Sequence, residues 1–116
     1  MGDAKVVPES GSFPLPADAA LIGERAILAF LVDPSTDAED LAYEVWINEH
    51  RIRSGGRFSG GVSRGLWETF GAEILLSGEG VNTAEFRVVG GHGSLKISDV
   101  VLWFQRKVAV APRMGG

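Results

Sequence analysis

Apolar residues at every second position, in one segment after another, constrain this chain more than any other feature. Residues 41–48, LAYEVWIN, put Leu41, Tyr43, Val45 and Ile47 on one face and Ala42, Glu44, Trp46 and Asn48 on the other. Successive side chains of a strand point to opposite faces, so this pattern describes a strand covered on one side. Asn82–Val89 behaves alike, with Ala84, Phe86 and Val88 inward and Glu85, Arg87 and Val89 outward. Residues 95–108, LKISDVVLWFQRKV, form the strongest strand, and a parity shift near Ser98-Asp99 predicts a bulge. No segment sustains a 3.6-residue period, which sets helical architectures aside.

Between these strands lie the usual chain reversers. Asn48-Glu49 separates 41–48 from a short strand at His50–Arg53, and asparagine tolerates the left-handed backbone of a tight hairpin. Residues 54–65, SGGRFSGGVSRG, read as the longest flexible loop; Ser77-Gly78-Glu79-Gly80 and Gly90-Gly91-His92-Gly93 read as turns. ERAILAFLVD, residues 24–33, is apolar at both parities, which fits a strand covered on both faces or a buried helix; its length favours the strand. A turn-rich loop follows from Asp33-Pro34, with room for one helical turn. Pro8, Pro14 and Pro16 deny helix to residues 1–20, expected to be a loosely held leader with a short strand at Lys5–Val7 or near Phe13–Leu15. The expected organisation is this leader, one domain over 21–110 and a flexible tail at 111–116. The fold class is an all-β antiparallel sandwich of six to eight strands, jelly-roll-like.

A chain of 116 residues, 45% hydrophobic and 22% charged, can bury a core of its own without staples. It has no cysteine, which excludes a disulfide scaffold, a thiolate zinc site and a cysteine nucleophile. No apolar run approaches the roughly 18 residues of a membrane span, and the acidic first twenty residues do not read as a secretory signal. The net charge of −4 divides unevenly: residues 1–49 carry −8 and residues 50–116 carry +4. Acids from Asp33 to Glu49 are followed by Arg51, Arg53, Arg57 and Arg64 with no acid between them. Nucleic acid is not an expected partner of so acidic a chain, since a basic footprint is its usual mark.

The order of LAYEVWINEHRI, LLSGEGVNTAEFRVVGG and LKISDVVLWFQ is similar to the galactose-binding-like jelly rolls. The resemblance rests on Val45-Trp46-Ile47-Asn48, on Gly80-Val81-Asn82 leading into Ala84–Val88, and on Ile97-Ser98-Asp99-Val100-Val101-Leu102, and it spans residues 24–108. It implies the sandwich and, for Asp33, Asp37, Glu39 and Asp40, the structural calcium that such domains often hold. Function does not follow from such a fold.

Catalytic signatures are missing. His50 and His92 stand alone in turns; Ser54, Ser59 and Ser63 lack nucleophile-elbow spacing, and the glycine-rich stretch lacks a phosphate-binding motif. An enzyme is not expected. Trp46, by contrast, shares its face with Glu44 and Asn48, the combination that stacks on a sugar ring and hydrogen-bonds its hydroxyls. The leading expectation is a non-catalytic module for carbohydrate or another polar ligand, held by Trp46, Tyr43, Glu44, Asn48, Arg53 and Arg57. The alternative is an assembly module, a homo-oligomer or one docked on a larger host. Trp67 and Trp103, with apolar neighbours, are expected in the core.

Overall fold

Alternation becomes structure as two antiparallel sheets packed face to face. The computed structural model describes residues 4–7, 11–15, 22–78 and 81–106. Eight strands run in chain order: β1 Lys5–Val7, β2 Ser12–Leu15, β3 Ile22–Pro34, β4 Glu39–Ile47, β5 His50–Phe58, β6 Arg64–Gly71, β7 Asn82–His92 and β8 Leu95–Arg106. The first sheet has the order β1-β8-β3-β6 and the second β2-β7-β4-β5. β4 pairs with β5, β3 with β6, β2 with β7 and β1 with β8, a nested ribbon rolled into two layers. That winding is the jelly roll.

The faces fall where the alternation puts them. Tyr43, Val45, Ile47, Ala84 and Phe86 are buried, and Val88 packs against them. The first sheet contributes Ala26, Leu28, Phe30 and Val32, together with Leu95 and Ile97. Phe86 sits at the centre, edge-on to Phe30 at 4.8 Å and to Phe13 at 5.6 Å between ring centroids. The expected bulge on β8 is present: register with β3 shifts between Ala29↔Val101 and Leu31↔Ser98, and Asp99 has φ 51°. Asn48 turns the β4–β5 hairpin at φ 55°.

Several expectations need correction. Residues 5–7 and 12–15 are both strands, and Val7, Phe13 and Leu15 are buried, so the sandwich begins in the leader and not at residue 21. The tail 111–116 lies outside the described residues. The 54–65 loop shrinks to residues 59–63, because β5 continues through Phe58. Gly56 explains this: any Cβ there would run into the Tyr43 ring, so the glycine marks a close approach between strands, not a flexible hinge. The segment after Pro34 makes a turn at Thr36-Asp37 with no helix. β3 is covered on one face only; its other face, with Ile27 38% and Leu31 46% exposed, looks outward. Trp67 and Trp103, expected in the core, are 67% and 64% exposed on that same outer face.

Tyr43 is the single tyrosine and is buried, stacked on Phe58 at 5.1 Å. Burial raises its phenol above the ordinary value of 10, and Glu68 adds to the shift. A raised folded value leaves stability untouched below the unfolded value and withdraws it as pH climbs above about 10. In an alkaline titration, phenolate absorbance should therefore rise together with loss of the β-sheet signal. A phenolate that formed at the unperturbed pH in a chain still folded would contradict this burial.

Candidate functional site

Two outer sheet faces offer themselves, and they differ in how far their polar groups are already engaged. On the second sheet, Trp46 is half-buried and opposes Arg51 on β5 and Glu85 on β7. Its indole N–H donates to Glu44 Oε1 at 3.0 Å, and Glu44 Oε2 accepts from Arg51 at 3.1 Å. The Arg87 guanidinium lies 4.1 Å from the Trp46 ring centroid, and Arg51 lies at 5.9 Å. Arg87 in turn holds Glu85 at 2.9 Å, which keeps the guanidinium charged and in place. The ring face and edge a sugar would use are thus occupied by the protein's own charges.

Glu44 apart, the residues singled out with Trp46 do not gather around it. Tyr43 is in the core. Arg53 pairs with Glu68 on β6 at 2.7 Å, closing the open side of the sandwich. Arg57 pairs with Asp40 at 3.0 Å. Asn48 turns inward to an amide knot: its side-chain N–H groups reach Ile74 O at 2.8 Å and Asn82 Oδ1 at 2.9 Å, and its Oδ1 accepts from Thr83 N at 3.0 Å. Among the proposed calcium ligands, Asp33 accepts from the Ser63 hydroxyl at 2.8 Å and Asp37 bonds His92 at 3.0 Å, while Asp40 holds Arg57. Glu39 is exposed. Among the described residues no three His, Asp or Glu side chains come together as a metal site. Asp37's carboxyl lies below its ordinary value, chiefly through Ser35, with His92 adding to it.

The outer face of the first sheet is built in rows across β6, β3 and β8. Thr69, Ile27 and Trp103 form one row; Trp67, Ala29 and Val101 form the next. The two indoles stand on either side of β3 on a diagonal, with Ile27 and the small Ala29 between them. The third row is Gly65, Leu31 and Ser98, and beyond it Asp33 faces Lys96. Two side chains of minimal size beside Leu31 leave a hollow. Its cavity, about 370 Å³, is lined by Leu31, Asp33, Ser63, Arg64, Gly65 and Lys96, among others. The volume is at the small end of the roughly 300–1,000 Å³ typical of small-molecule sites. An aromatic, apolar half thus runs into a mainly apolar pocket edged by Asp33, Ser63 and Lys96 on one continuous face.

Arg64, opposite the buried Val32, turns its guanidinium away from this face to the edge between the sheets, 5.3 Å from the Phe58 ring centroid. The sequence carried one signal for the aromatic half: β3 and β8 are apolar at both parities, more than one core can absorb. It carried none for the pocket: Asp33 and Lys96 are far apart in sequence and meet through the β3–β8 register, and Ser63 and Gly65 join them from the β6 side. No protein-family model matches the chain, and no curated protein matches it in sequence.

Proposed function

We propose that the protein is a non-catalytic binding module whose ligand, a carbohydrate, lies on the outer face of the first sheet. The observation that carries this reading is the pair of exposed indoles, Trp67 and Trp103, set beside a pocket with an apolar floor edged by the Ser63 hydroxyl, the Asp33 carboxylate and Lys96. Indole faces stack on the C–H side of a sugar ring, and polar groups at one end fix its orientation through hydroxyl hydrogen bonds. The Trp46 cluster serves instead as a surface clasp on the second sheet. A galactose-binding-like relationship is part of this proposal; Asn48 and Asn82, two of the residues that carry the resemblance, are tied to each other in the amide knot.

The test is intrinsic tryptophan fluorescence against a glycan panel. One stacked site of this kind gives affinities of about millimolar to micromolar. Trp67→Ala and Trp103→Ala should each weaken binding about tenfold or more, equivalent to about 1.4 kcal/mol. Both side chains are exposed, so stability should change by less than about 0.5 kcal/mol. Trp46→Ala should leave binding intact. If Trp46→Ala alone removed binding, the site would belong to the second sheet.

A second reading is an assembly module. Ile27, Leu31, Trp67, Val101 and Trp103 form an uncovered apolar surface, the kind that marks protein contacts. Isologous pairing of two copies through it would follow the commonest symmetry of soluble oligomers. Light scattering separates the readings: a dimer that dissociates in Trp67→Ser, with a silent glycan panel, favours assembly.

A further inference from the structure

We infer that β6 is the pairing edge of a symmetric dimer: a second copy of this chain adds its own β6 antiparallel to the first, and its Trp67 completes the hollow beside Leu31. The pairing stands apart from the carbohydrate reading above; the ligand's place in the shared hollow rests on it.

Four strands lie at sheet edges among the described residues, β1 and β6 in the first sheet and β2 and β5 in the second. An edge presents unpaired backbone N–H and C=O groups, and natural sheets blunt it with shortness, proline, charge or bulges. β1 has three residues. β2 has four, and its Pro14 has no N–H to give. β5 carries Arg51, Arg53 and Arg57, and its register with β4 is broken twice. β6 is different. It has eight residues with no proline, and its register with β3 is unbroken from Arg64 to Gly71.

The two charges of β6 select both the partner and the register. When two β6 strands meet antiparallel about an axis at Leu66, Arg64 of each copy lies opposite Glu68 of the other. Opposite charges directly across a strand pair stabilise it, and like charges destabilise it. Axes at Gly65 or Trp67 leave both charges unmatched, and an axis at Glu68 sets that acid against itself. Arg64 is in no ion pair among the described residues. Glu68 holds Arg53 through Oε2 at 2.7 Å, which leaves Oε1 for a second cation. Residues 64–68 of the two copies then form five facing pairs, an ordinary strand length.

The same register acts on the outer face. Gly65 and Trp67 lie there, and the axis at Leu66 sets Gly65 of one copy opposite Trp67 of the other. A Cβ at Gly65 would meet nothing nearer than Leu31 Cδ2 at 3.4 Å, so the space above this glycine is open to a neighbouring ring. The partner's Trp67 thus walls the hollow at its Gly65 side, and a ligand held there touches both chains. The two outer faces join into one surface with a pair of equivalent sites, which raises avidity for a repeating ligand.

The chain has no cysteine, so introduced ones report alone. Under mild oxidation Leu66→Cys should give a disulfide-linked dimer, because directly opposed Cβ atoms lie about 4.5–5.5 Å apart. Thr69→Cys, with its copy about 20 Å away along the strands, should stay monomeric on a non-reducing gel. In light scattering at low ionic strength the wild type should give the mass of two chains. Arg64→Glu should weaken the dimer about tenfold or more, and R64E combined with E68R should restore it. Trp103→Ala, two strands from the edge, should leave it intact. A monomeric wild type that also fails to cross-link through Leu66→Cys overturns the inference. So does a dimer that is lost in Trp103→Ala and indifferent to Arg64→Glu, since it pairs through the outer face. A glycan found by the fluorescence panel should tighten the dimer, as linkage requires of a site that both chains build; a bound glycan without effect on dimerisation overturns the shared hollow. A silent panel beside an intact edge dimer removes the carbohydrate reading and supports the pairing alone.

Discussion

Phe86→Ala is expected to lower stability by about 3–5 kcal/mol, the usual cost of removing a fully buried phenylalanine. Phe86 is 2% exposed and is the ring on which Phe13 of its own sheet and Phe30 of the opposite sheet both pack. Its removal therefore opens a void between the layers, and neither neighbour can close it without leaving its own strand register. Domains of this size have only about 5–15 kcal/mol in hand, so the variant should sit close to unfolding. The denaturant midpoint should fall sharply while the slope stays unchanged. Val89→Ala, three residues along β7 and 53% exposed, provides the control, with a change within about 0.5 kcal/mol. Equal midpoints for the two variants would mean that β7 presents its other face to the core.

Asn82→Ala should cost about 2–4 kcal/mol, although it removes no apolar contact. Asn82 is fully buried. Its Oδ1 accepts from Leu76 N at 2.7 Å and from Asn48 Nδ2 at 2.9 Å, and its own Nδ2 donates to Leu76 O at 3.0 Å. Alanine takes the partners from Leu76 N–H and Leu76 C=O in this part-buried knot, while Asn48 Nδ2 keeps Ile74 O, and a group left unsatisfied costs about 1–3 kcal/mol. The loss should be local as well as global. Leu76 N–H loses its acceptor and should exchange faster with solvent, whereas Thr83 N–H keeps its bond to Asn48 Oδ1. Exchange at Leu76 matching the wild type would show that the loop after β6 is held by something else.

Asn82 also marks the limit of what alternation reveals. Ala84, Phe86 and Val88 could be placed inward from the sequence because a two-residue period reports one local fact, which face is apolar. The Asp99 bulge and the Asn48 turn were legible for the same reason: each leaves a mark within three or four residues. What joins Asn48 to Asn82 is a tertiary hydrogen bond across 34 positions, and no local pattern encodes it. The tryptophans failed differently. Leu66 beside Trp67, and Leu102 and Phe104 beside Trp103, suggest a core, but neighbours at i±1 point to the opposite face. Trp46 shares a strand face with Glu44, and the structure joins the two by a hydrogen bond. That Arg87, far along the chain, would cover its ring depends on the β4–β7 register, which sets Glu44 opposite Arg87.

The nested ribbon has a consequence for how the chain reaches its fold. Closing a loop costs entropy that grows with its length, so pairs distant in sequence form late. Ile47 meets His50 across the Asn48-Glu49 turn, whereas Lys5 has to find Ile97. Pairing therefore spreads outward from one hairpin, as a zipper closes. During synthesis, β3 can take β6 on one side as soon as Arg64–Gly71 is made, but its other side stays open until Leu95–Arg106 emerges. β3 is also apolar at both parities, and an unpaired apolar strand is what a nascent chain can least safely display. The interval between completing β6 and completing β8 is thus the moment at which this protein is most exposed to misassembly.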